Sequence, residues 1–187
     1  MPVINRIAEF HKDMAGWRQD IHAHPETAFE EERTSKLVAE TLTGLGIETH
    51  TGIAKTGVVG VLHAGGSGRA IGLRADMDAL PMDERTGLAH ASTVPGRMHA
   101  CGHDGHTTML LGAARYLAET RRFRGRVALI FQPAEEDIGG ARLMVEEGIL
   151  EHFEIGQVYG LHNDPEVAEG AFDTCPGPIM AAVDTFR

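Results

Sequence analysis

Ile4, Ile7, Phe10, Met14, Trp17 and Ile21 recur at intervals of three and four, the spacing of one face of an α-helix. His24-Pro25 stops that pattern, because the residue before a proline avoids the helical region. A second helix is predicted from about Glu30 to Leu45, with Leu37, Val38, Leu42 and Leu45 on one face and Gly46 as its stop. Strand patterns follow. Ile47–Thr51 is short. Gly57–His63 and Ala70–Arg74 flank the turn Gly65-Gly66-Ser67-Gly68 and predict a hairpin. A loop rich in glycine, proline and histidine runs from Pro81 to His103, and a helix is expected over Thr107–Thr120. Arg126–Phe131 is an almost unbroken apolar run, as in a strand covered on both faces. A helix over Ala141–Glu147, stopped by Gly148, and a strand over Gln157–Leu161 complete the pattern. Strands that alternate with helices predict an α/β fold with a mixed sheet.

Composition narrows the function more than the fold. The 187 residues suffice for one domain with a real core, and 42% hydrophobic with 24% charged residues is ordinary for a globular chain. A net charge of -10 argues against nucleic acid or an anionic membrane as partner. No segment approaches the roughly 20 apolar residues of a membrane span. The first residues lack the apolar core of a signal peptide, so a cytoplasmic location is expected. Such a compartment disfavours a disulfide between the two cysteines. Cys175 has no donor neighbours and reads as an inert thiol, whereas Cys101 lies among histidines.

The candidate chemistry is concentrated in Met98-His99-Ala100-Cys101-Gly102-His103-Asp104-Gly105-His106. Gly102 permits backbone geometry that a larger residue resists, so Cys101 and His103 can face one point. Glu135-Glu136 follows a predicted buried strand, and His162 follows another. Sulfur, nitrogen and oxygen donors together suit zinc or manganese. Adjacent glutamates on turn backbone point in different directions, so one can bind metal while the other handles a proton. Asp76 and Asp78, in Arg74-Ala75-Asp76-Met77-Asp78, are candidates for catalytic support, one of them as the carboxylate that orients a ligand histidine. Asp76, Glu135, Glu136 and His162 all fall where apolar runs end, and open α/β sheets place their sites beyond the carboxyl ends of strands. His99 and His106 are expected to support the ligands rather than bind directly, and His22 and His24 to be structural. The runs Glu30-Glu31-Glu32 and Glu146-Glu147 read as solvated surface.

Taken together these segments, with Asp20-Ile21-His22-Ala23-His24-Pro25-Glu26, Phe131-Gln132-Pro133-Ala134-Glu135-Glu136 and Gly160-Leu161-His162-Asn163, resemble the M20 family of metallo-peptidases. The nearest branch is similar to the amidohydrolases of N-acyl amino acids, including hippurate and auxin-conjugate hydrolases. The resemblance implies a mixed-sheet catalytic domain holding two divalent metal ions. Cys101, His103, Glu136 and His162 would be ligands, Glu135 the general base and later the acid, and Asp76 or Asp78 the supporting aspartate. It implies a small N-acyl amino acid as substrate, with a dipeptidase or carboxypeptidase activity at the same centre as the alternative. Chains of that family are about twice as long and carry an inserted lid and dimerisation domain, through which full-length members would form homo-oligomers. On that comparison residues 1–178 are the N-terminal part of the catalytic domain, and 179–187 begin the insertion. Part of the sheet's covering and a further ligand histidine would then lie beyond Arg187, leaving exposed apolar area and an unpaired strand edge. A truncated metal-binding chain without catalysis is the reading from another class. Asp137-Ile138 and Asp164 depart from the family's usual residues and leave substrate preference open.

Overall fold

The computed structural model describes residues 4–66, 68–137 and 139–179. Helices α1 (Asn5–Glu9), α2 (His11–Ala23) and α3 (Glu32–Gly44) come first, followed by strands β1 (Glu48–Ile53), β2 (Gly57–His63) and β3 (Ala70–Asp76). Then come α4 (His103–Thr120), β4 (Arg126–Gln132), α5 (Gly140–Glu146), α6 (Ile149–His152) and β5 (Ile155–Gly160). The first amphipathic stretch is split at Phe10. There Phe10 donates its N–H to Ile7 O at 3.0 Å, and Met14 N–H resumes the helical pattern to Phe10 O at 2.9 Å. The buried Phe10 ring anchors the joint, with the guanidinium groups of Arg6 and Arg115 over it at 4.7 and 4.0 Å.

The sheet runs β1-β2-β4-β3-β5. β4 pairs antiparallel with β2 and parallel with β3. This overturns the hairpin expected between Gly57–His63 and Ala70–Arg74, whose intervening Ser67 lies outside the described residues. The physical reason is that β4 must be covered on both faces. Val127, Leu129 and Phe131 pack with Val38, Leu42, Met77 and Leu111 on one side. Ala128 and Ile130 pack with Met144, Ile149 and Phe153 on the other. Only a central position does this, so β4 lies between β2 and β3. The hairpin partner of β2 is β1, through a turn in which Ala54 and Lys55 have φ of 46° and 75°.

β3 is parallel to both β4 and β5, so three strands end at one edge of the sheet. Asp76 closes β3, Glu135 and Glu136 follow β4, and His162 follows β5. The connection from β3 to α4 is pinned by paired bonds between Leu80 and Met98 (3.0 and 3.1 Å) and by Ala79 N–H to Glu26 O (2.8 Å). α4 starts at His103, four residues before the expected Thr107, so the donor histidines occupy its first turn. Among the described residues β5 pairs only with β3, and its residues from Gly156 onward are exposed, including Val158, Tyr159 and the adjacent Leu161. No helix among the described residues is long and apolar enough to cross a membrane. Of the segment 179–187, expected to open a further domain, only Ile179 is described.

Candidate metal centre

Gly102 sets the geometry. Its φ is +88°, and a Cβ there would lie 2.4 Å from Asn163 Oδ1, so both backbone conformation and space require glycine. The chain turns at Gly102 directly into α4, placing His103 at the first helical position and His106 one turn later on the same face. Their ring centroids are 5.3 Å apart. Thr107 Oγ1 donates to Asp76 O at 2.9 Å and ties this turn to the end of β3.

His103 is at the middle of the cluster. Its Nδ1 lies 3.2 Å from Asp78 Oδ1. Its Nε2 lies 3.6 Å from Asp76 Oδ2, 3.7 Å from Glu136 Oε1 and 4.0 Å from Glu135 Oε2. Cys101 Sγ lies 3.4 Å from His162 Nε2. All seven residues singled out from the sequence therefore meet at one place. Five of them, with His106 added, make two overlapping donor groups, Cys101-His103-Glu136 and Asp76-His103-His106-His162, each with its donor atoms within 4.8 Å of one another.

The two aspartates differ. Both are buried. Asp78 reaches His103 Nδ1 with one oxygen and accepts the Glu136 N–H (2.9 Å) with the other. Asp76 is already spoken for by His106 Nδ1 at 2.6 Å and Arg74 Nη1 at 2.7 Å. Burial pushes the Asp76 carboxyl up, but the His106 hydrogen bond and the charges of Arg74, His103 and His106 outweigh it and bring it to about 2. Asp78 is likewise lowered despite its burial, by His103 and the amides of Glu136 and Glu135. Burial disfavours the charged His103 ring, yet Asp78, Asp76 and Glu136 together raise it.

Burial, and then the negative charge of Glu136, push the Glu135 carboxyl above the usual carboxylate range. Burial followed by Glu136 also pushes the Cys101 thiol up to about 12, so its thiolate requires a positive charge among these groups. His103 Nε2 and Glu136 Oε1 are buried without a hydrogen-bond partner. Two inward-facing orphan atoms beside a thiol and a second imidazole suit a divalent cation, and the residues present fit one.

Sequence reasoning placed His106 near the centre without defining its contacts. Its ring joins Asp76 to Asn163, whose Oδ1 lies 2.6 Å from Nε2. His22 and His24, expected to be structural, lie outside the two donor groups. His22 bridges Asp104 (2.9 Å) and Glu84 (3.3 Å), and His24 Nδ1 bonds Asp20 O (2.7 Å). The reading of the glutamate runs as solvated surface holds for Glu30, Glu32, Glu146 and Glu147, which are exposed, and is corrected at Glu31. Glu31 is fully buried, and Glu147 accepts the Ala54 N–H at 2.7 Å. Tertiary pairing rather than any local pattern draws Glu31 in, and Glu147 makes its bond while remaining exposed. Cys101 and Cys175 are both free thiols.

An open α/β sheet with sulfur, nitrogen and oxygen donors beyond the ends of its parallel strands defines a cation-binding α/β domain. The chain belongs to peptidase family M20/M25/M40, whose profile matches residues 72–185. It is 48% identical over 186 residues to a hippurate hydrolase of Campylobacter jejuni, covering 100% of this chain and 48% of that protein. It is 43% identical over 195 residues to thermostable carboxypeptidase 1 of Saccharolobus solfataricus, covering 100% of this chain and 49% of the other. A solved Bacillus subtilis structure described as a dinuclear metal binding peptidase from the M20 family superposes with a TM-score of 0.80 at 42% identity. That match covers 85% of this chain and 44% of the other. The chain thus spans about half the length of the curated relatives it matches.

Proposed function

We propose that this chain supplies the metal-binding half of a cytoplasmic hydrolase that cleaves the amide bond of N-acyl amino acids. The observation that carries the reading is the buried, unpartnered pair His103 Nε2 and Glu136 Oε1, 3.7 Å apart beside Cys101. Cys101, His103, Glu136 and His162 would hold two divalent ions, zinc or manganese. When bound, such ions supply Lewis acidity toward the amide carbonyl and toward water. Glu135 is the less buried of the two glutamates, with 39% of its side chain exposed against 21% for Glu136. It takes a proton as the water oxygen bonds to the carbonyl carbon, then delivers that proton to the nitrogen as the C–N bond breaks. Its raised proton affinity suits both halves of that exchange. Asp78 keeps the His103 ring turned so that Nε2 faces the centre, and Asp76 holds Arg74 and His106 around it.

A small N-acyl amino acid is the substrate class favoured by the hippurate hydrolase relative. The carboxypeptidase relative supports a second reading, hydrolysis of a C-terminal peptide bond at the same centre. The net charge of -10 weighs against nucleic acid and anionic membranes as partners. Residues 1–178 are assigned to the catalytic domain and 179–187 to the start of an inserted domain that would make the longer protein a homo-oligomer.

The first test is metal content. The purified chain incubated with zinc or manganese should bind one to two ions, and Cys101→Ala should bind fewer; no bound ion sinks the reading. Glu135→Gln should keep the metal and lose about 10²–10⁴-fold in turnover. Hydrolysis of an N-acetyl amino acid against that of a free dipeptide then separates the two substrate readings.

A further inference from the structure

We propose that Glu31 is a positioning residue for this centre: its carboxylate fixes the turn at Ala134 and so sets the direction of Glu135 and Glu136. The inference rests on the proposed metal-site reading but names a residue 103 positions away from Ala134 in sequence. Glu31 is fully buried, while Glu30 and Glu32 on either side are exposed. Its Oε1 accepts the Ala134 N–H at 2.8 Å and its Oε2 accepts Thr56 Oγ1–H at 2.6 Å. Each carboxylate oxygen thus has a donor, which is what a fully buried acid requires.

The turn it holds is strained and crowded. Ala134 is buried with φ of +50°, a left-handed conformation that a non-glycine residue adopts only when its surroundings impose it. Ala134 O accepts Gly140 N–H at 2.8 Å, and a Cβ at Gly140 would lie 1.8 Å from Pro133 O. On the far side of the turn Glu136 N–H donates to Asp78 Oδ2 at 2.9 Å. Two carboxylates from separate segments therefore clamp the Ala134-Glu135-Glu136 backbone, Asp78 from beside the centre and Glu31 from behind it. Removing the Glu31 acceptor leaves a buried Ala134 N–H unpaired. The backbone then escapes its left-handed conformation, and the two glutamate side chains turn away from His103.

The test compares Glu31→Ala, Glu31→Gln and Val38→Ala in the full chain. Val38 is a buried core residue outside the centre and controls for general destabilisation. Glutamine keeps an acceptor for Ala134 and a polar partner for Thr56. The first readout needs no metal. Amide exchange at residues 134–136 should speed up at least about tenfold in Glu31→Ala and stay near the parent rate in Glu31→Gln and Val38→Ala. The second is cobalt(II) affinity followed by its visible absorption, which should weaken by about tenfold or more in Glu31→Ala and recover in Glu31→Gln. If Glu31→Ala does not fold, Glu31→Asp carries the same comparison, because it keeps the charge and shortens the reach by one carbon. Unchanged exchange at 134–136 overturns the proposal, as does an equal effect in Val38→Ala. A parent chain that binds no cobalt defeats the metal-site reading, and the exchange measurement still decides the role of Glu31.

Discussion

Gly102, between two of the donor residues, and Glu31, distant from them in sequence, are the single residues at which the geometry of the centre is most directly tested. Gly102→Ala meets two obstacles at once, a φ of +88° and an Asn163 oxygen 2.4 Å from the new carbon. It should cost about 1–3 kcal/mol and weaken metal uptake, read from urea midpoints and metal content. Glu31 makes a prediction about pH. Burial pushes its carboxyl above the usual range, against the hydrogen bonds from Thr56 and Ala134. The folded chain therefore holds the Glu31 proton more tightly than the unfolded chain does. Stability from this group is complete below the unfolded value of about 4.3 and is lost as pH rises through the folded one. Glu31→Gln cannot lose a proton, so its stability relative to the parent should climb across that window; a difference that stays flat with pH counts against this.

At the scale of elements, β4 is the strand on which the sheet is organised, and β5 is its open margin. Phe131 and Leu129 are fully buried, whereas Val158 is half exposed. Phe131→Ala should cost roughly 3–5 kcal/mol in denaturant unfolding. Val158→Ala should cost less than about 1 kcal/mol, because little apolar surface is buried there. Comparable losses at the two sites would mean that β5 is covered in solution. The apolar run 126–131 was legible as a doubly covered strand because burial on two faces leaves no polar alternation. Its neighbours were not legible. The glycine-rich segment before Ala70 suits a tight turn, but turn chemistry does not say whether another strand enters between the two it joins. α4 likewise begins four residues early, because its start depends on Gly102 meeting Asn163 from the end of β5.

For the whole molecule, the centre is a junction. It joins the ends of β3, β4 and β5 to the first turn of α4, so an ion bound there stabilises the fold by binding only the assembled form. At one hundred times its dissociation constant, zinc should add about 2.7 kcal/mol to unfolding stability. A chelator should reverse that gain, and Glu136→Ala should lose most of it. Melting curves with and without zinc test this, and an unchanged melting temperature at saturating zinc would contradict it.

The order of elements, the mixed sheet and the seven residues that converge on one point were all readable along the chain. Each depends on local periodicity or on donor types placed at the ends of apolar runs. Strand order, the separate tasks of Asp76 and Asp78, and the burial of Glu31 were decided only in three dimensions. A carboxylate beside two other glutamates has the same local pattern whether it faces water or an amide on a distant turn. What distinguishes Glu31 is the Ala134 N–H waiting 2.8 Å away, brought there by a loop that leaves β4 103 residues later in the chain.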